Sequence, residues 1–104
     1  MNASGADVWH TPAFMAVFEQ HLGIIKKEKS DLMAVESNKV DQFRGDFFGL
    51  LRSVGINPQY WVFVLRATGL KSPVEFDIHV TQIIIPNFSY LEELRQQYQT
   101  IQRG

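Results

Sequence analysis

The run Tyr60-Trp61-Val62-Phe63-Val64-Leu65 has no polar face, and it sits between Asn57-Pro58 and Gly69. Asparagine can cap a first helical turn, and proline suits the first helical position, where its missing N–H is not needed. Glycine readily takes the left-handed conformation that closes a helix. These signals predict a helix over 58–68. A helix that is apolar all round must be covered on most sides, so the rest of the chain has to supply that cover. The run therefore reads first as the core helix of the domain. Tyr60 and Trp61 also carry an interface reading, since aromatic side chains are favoured as interface anchors.

The flanking pattern is mostly helical. Thr11-Pro12 opens a helix whose apolar positions are Ala13, Phe14, Val17, Phe18 and Leu22, and Gly23 is read as its stop. From 24 to 54, Ile25, Leu32, Val40, Phe43, Phe47, Leu50, Leu51 and Val54 fall on one stripe at helical spacing, with Glu36 and Lys39 as a polar notch inside it. The pattern is expected as one long helix, the alternative being two helices meeting near residue 37; Gly55 ends it. After the core helix, Ser72-Pro73 marks a turn. Val80–Ile85 is β-rich and stops at Pro86. Such a strand must pair with residues near 76–78, pair with another chain, or stay extended. Ser89 with Glu92 matches a capping box for a last helix carrying Leu91, Leu94, Tyr98 and Ile101. The expected fold is α+β, mainly α, with three to four helices and a short β element near residues 78–85. Residues 1–10 are expected as a flexible N-terminal segment and 11–104 as a single small domain.

Composition narrows the function classes. Net charge is −1, and the dense basic cluster is Lys26, Lys27 and Lys29, which is no footprint for a nucleic-acid backbone. No apolar run reaches the roughly 18 residues of a membrane span, and the first residues lack the basic and apolar regions of a secretory signal. With no cysteine, disulfides, thiolate catalysis and cysteine-ligated metals are excluded, which fits a reducing compartment. His10, His21 and His79 stand at no ligand spacing, and Glu92-Glu93 point apart on a helix. Neither a phosphate loop nor a nucleophile elbow occurs. The reading is therefore not an enzyme, with no catalytic residue, cofactor or metal.

Several features point instead to protein interfaces. Thirteen aromatic residues (eight Phe, three Tyr, two Trp) are a large apolar content for this length, and some belong near the surface. Trp9 shares the core-or-interface reading of Tyr60 and Trp61. Gly45 and Gly49 fall opposite the Phe43–Phe47–Leu50 stripe. Two helix glycines together cost about 0.8–1 kcal/mol each against alanine, and suggest close approach by another backbone; the alternatives are a kink, a helix end or simple tolerance. Gln82, Ile83, Ile84 and Ile85 form a strand edge that another chain could extend.

The segment Tyr60-Trp61-Val62-Phe63-Val64-Leu65, with Gly69-Leu70, Ser72-Pro73, Phe76 and then Ile83-Ile84-Ile85-Pro86-Asn87, resembles a pattern in baseplate wedge proteins and related tail proteins of contractile-tailed bacteriophages. It departs from that pattern at Thr68, where asparagine is common, and at Val80-Thr81-Gln82, where a glycine is usual. Residues 11–54 have no counterpart in it. The resemblance implies no catalysis. It implies a small part held in several copies between larger virion tail or baseplate proteins, in a particle assembled in the host cytoplasm, with no nucleic-acid or membrane partner. The alternatives are a small phage-encoded regulatory or adaptor module that binds a host protein and, behind it, a helix-turn-helix DNA reader over 43–68. For the latter, the second helix offers only Gln59 and Arg66 to bases.

Overall fold

The computed structural model describes residues 11–103, with side chains as far as residue 98. The expected N-terminal segment, including Trp9, lies outside the described residues. The element order is α1 (Pro12–Glu28), β1 (Ser30–Ala34), α2 (Ser37–Gln42), α3 (Phe47–Ser53), a single tight turn (Pro58–Tyr60), α4 (Trp61–Thr68), a second tight turn (Pro73–Glu75), β2 (Gln82–Pro86) and α5 (Phe88–Arg103). The architecture is mainly helical α+β, as expected.

The Thr11 hydroxyl accepts the Phe14 N–H at 3.1 Å, so α1 opens where its cap and proline predict. It does not stop at Gly23. A Cβ placed there would meet nothing within 4 Å, and the apolar stripe Phe14–Phe18–Ile25 continues beyond it, fully buried. Burying Ile25 is worth about 1.5–3 kcal/mol, more than a solvent-facing glycine costs. Lys26 and Lys27 fall in the last turn of α1, where cations suit the helix dipole.

The expected long helix over 24–54 is the main correction. It is the end of α1, a strand and two short helices. The cause lies far along the chain: the Ile83–Ile85 strand needs a partner, and β1 provides it. The two pair antiparallel, with Asp31 opposite Ile85, Leu32 opposite Ile84 and Met33 opposite Ile83. The expected pairing with residues near 76–78 and the unpaired extended placement are thereby overturned. The second break falls at Gly45, whose φ of 75° is left-handed and whose N–H donates to the Phe76 carbonyl at 2.8 Å. That bond ties the α2–α3 turn to the tight turn at Pro73–Glu75.

α4 lies at the centre. Phe63 faces a cluster with Phe14, Phe18, Ile25, Leu91 and Leu94, while Val64 and Leu65 face a second with Val40, Phe47, Leu50, Leu51, Phe76 and Ile83. Phe88 packs against both. Phe63 meets Phe14 and Phe18 edge-on at 5.9 and 4.9 Å between centroids. Gly69 closes α4 at φ 98°, and the Leu70 N–H reaches back to the Leu65 carbonyl at 3.1 Å. At α5 the expected cap moves. Asn87, not Ser89, accepts the Tyr90 N–H at 3.1 Å. Asn87 is fixed there because its own N–H is held by the Lys29 carbonyl at 2.7 Å, which closes the sheet.

Candidate interaction surface

The ladder geometry decides which strand edge is open. The Asn87 N–H donates to the Lys29 carbonyl at 2.7 Å, and the Val35 N–H to the Thr81 carbonyl at 2.9 Å. Bonded pairs recur every second residue in an antiparallel ladder. Asp31–Ile85 and Met33–Ile83 are therefore the bonded pairs inside the sheet. The N–H and C=O groups of Ser30, Leu32 and Ala34 point outward from β1, and those of Gln82 and Ile84 point outward from β2.

The two outer edges differ. On β2 the outward Ile84 N–H is held by the Thr68 hydroxyl at 3.0 Å, and Pro86 has no N–H to offer. Ile83 is fully buried, Ile84 and Ile85 are half-buried and Gln82 is exposed. The open edge is thus on β1, the strand that the sequence pattern did not reveal. Leu32, at its middle, is 63% exposed. Beside it, Met33, Ala34, Val35, Leu50 and Val54, together with Glu36 and Lys39, line a mainly apolar groove of about 150 Å³.

Tyr60 and Trp61 are largely used inside the chain. Tyr60 stacks on Phe88 at 4.1 Å with ring planes 7° apart, and its hydroxyl donates to the Glu92 carboxylate at 3.0 Å. Arg95 holds the other oxygen of Glu92 with two N–H groups, at 3.1 and 2.8 Å. Burial first, and the hydrogen bond to Glu92 second, raise the Tyr60 pKa. Glu92 thus does not reach back to cap α5. Trp61 donates its indole N–H to the Ile56 carbonyl at 2.8 Å, stacks on Phe48 and lies under the Arg52 guanidinium.

The glycine pair has a local explanation. Gly45 is the left-handed turn already described. Gly49 donates its N–H to the Asp46 carboxylate, the N-cap of α3, at 3.0 Å. A Cβ at Gly49 would collide with that carboxylate, whose Cγ would lie 2.8 Å away. The close approach comes from the chain's own cap.

His21 donates from Nδ1 to the Val17 carbonyl at 2.8 Å, and His79 lies beside Asp77. The N–H of His79 holds the Asp77 carboxylate and lowers its pKa. Among the described residues, no three metal-ligating side chains gather. No described helix is long and apolar enough to cross a membrane.

No family model, curated protein or solved structure matches this chain. In the Tyr60–Asn87 segment, Phe63, Val64, Leu65, Phe76 and Ile83 are buried. They describe how the chain packs more than what it touches.

Proposed function

We propose that this chain is a structural part of a bacteriophage virion, in the tail or baseplate, that joins larger proteins through apolar contacts and strand addition. The observation that carries the interaction reading is the open β1 edge with exposed Leu32 beside an apolar groove. Exposed strand edges are templates for pairing and are usually guarded. Val74 and Ile78, 71% and 59% exposed, add apolar surface in the segment between α4 and β2. The resemblance over residues 60–90 supplies the virion setting. Quantitative mass spectrometry of purified particles tests it. The chain is expected at a fixed copy number relative to baseplate proteins; its absence from particles, with binding to a single host protein, overturns the virion reading in favour of a regulator.

A further inference from the structure

We infer that the outer edge of β1 takes the same edge of a second copy of this chain, antiparallel about Met33, with Asp31 of each copy paired to Lys39 of the other. The proposal rests on the interaction reading above and names the added strand. It joins two copies and leaves the other faces of each to larger proteins.

The ladder allows it. Leu32 and Ala34 turn their N–H and C=O groups outward, and no described residue bonds them. A two-fold axis at Met33 sets Leu32 of each copy opposite Ala34 of the other, as bonded pairs. The two Met33 residues then face each other as a non-bonded pair. In both bonded pairs a large side chain meets a small one, so Leu32, 63% exposed in the single chain, gains cover without a clash. The groove of about 150 Å³ beside Met33 takes the Met33 side chain of the other copy, since an unbranched thioether adapts to irregular gaps.

The charges select the occupant. Asp31 is the one charge within Ser30–Ala34, and a charge on an edge deters indiscriminate pairing. A second copy answers it. The axis at Met33 sets Asp31 opposite Val35 of the other copy, on the face where Met33 and Val35 meet the core. Lys39 lines the groove there, beside Val35. Lys39 lies over the Phe43 ring at 5.8 Å, yet neither it nor Asp31 has an ion-pair partner among the described residues. The two-fold pair supplies one to each. The flanks of β1 agree in sign. Residues 26–31 set Lys26, Lys27 and Lys29 against two carboxylates, while residues 35–41 set Glu36 and Asp41 against one lysine. Antiparallel pairing lays each positive flank along the negative flank of the other copy.

The contact is short, so the pair is weak in solution and favoured by the high local concentration of an assembly. Sedimentation equilibrium of the full chain is expected to show monomer at about 10 μM and dimer forming with a Kd of about 1 mM. Asp31→Lys and Lys39→Glu are each expected to weaken the dimer about tenfold, since each sets like charges together at two places. The double variant restores opposite charges and is expected to recover the native Kd within about twofold. Met33→Cys, in a chain with no other cysteine, is expected to form a disulfide-linked dimer faster than Leu32→Cys under oxidised glutathione. A non-bonded antiparallel pair brings its Cα atoms to about 4.5 Å, within disulfide reach. A chain still monomeric at about 2 mM overturns the proposal. If its Leu32 and Ala34 amides are then protected only in particles, the edge belongs to a different protein. A dimer indifferent to the single charge changes, or not recovered by the double one, overturns it too, because the copies then meet elsewhere. Faster cross-linking at Leu32→Cys overturns the register. Particle composition is read separately, so failure here is distinguishable from failure of the virion reading.

Discussion

Asp46 and Gly49 form one unit at the start of α3. The carboxylate that caps the helix occupies the space a side chain at residue 49 would need. Gly49→Ala should gain up to about 0.8–1 kcal/mol of helix propensity and lose a cap worth about 0.5–2 kcal/mol. No gain is expected in the native background and a clear gain once Asp46→Ala has removed the cap; urea denaturation of the four proteins in the cycle reads this change. Gly45→Ala has no such compensation. It forces a side chain into a left-handed turn at φ 75° and should cost about 1–2 kcal/mol.

Tyr60 makes a pH-dependent contribution. Its folded pKa is raised above the ordinary tyrosine value of 10.0, chiefly by burial and then by the bond to Glu92. Stability is therefore full below the unfolded pKa and falls as pH rises through the folded value. Tyr60→Phe should cost about 1 kcal/mol near neutral pH, by loss of the Glu92 bond. Its deficit against the native protein should shrink above about pH 10, which denaturation at both pH values reads directly.

At the scale of elements, what could be read in advance follows the range of the interactions. Thr11, Asn57 and Gly69 act within two to five residues along the chain, and their roles are plain from spacing. Gly23 misleads because the buried stripe on its neighbours outweighs its propensity. The strand at Ser30–Ala34 was invisible because nothing local makes it a strand. Leu32 fits the helical stripe on the wheel, yet it is the most exposed of those apolar residues at 63%. Only pairing with Ile83–Ile85 fixes it there. The unpaired edge expected on β2 is paired for the same reason, and the outward edge lies on its partner β1.

Thr68 holds the outward Ile84 N–H of β2. Thr68→Val keeps the shape and leaves the Ile84 N–H without its acceptor, at a cost of about 1–3 kcal/mol, and Thr68→Ser should recover most of it. Faster exchange of the Ile84 amide in the valine variant, with an unchanged β1–β2 ladder, is the expected signature.

Across the whole molecule, α4 serves two apolar clusters, and the Arg66–Glu19 ion pair at 2.7 Å adds a link to α1. The pair is partly exposed and contributes little beside the packing. Phe63→Ala removes the ring that Phe14 and Phe18 pack against, and should cost about 3–5 kcal/mol, a large share of the 5–15 kcal/mol typical of a domain. Helicity and the Trp61 environment should be lost together, because neither cluster keeps its cover without α4.

We propose that the open edge of β1 is where a neighbour in an assembly pairs with this chain. Amide hydrogen exchange at Leu32 and Ala34, compared between the isolated chain and purified particles, tests it most directly. Fast exchange in the isolated chain and strong protection in the particle is the predicted result. Equal exchange in both, or exclusion of the chain from particles, would contradict it.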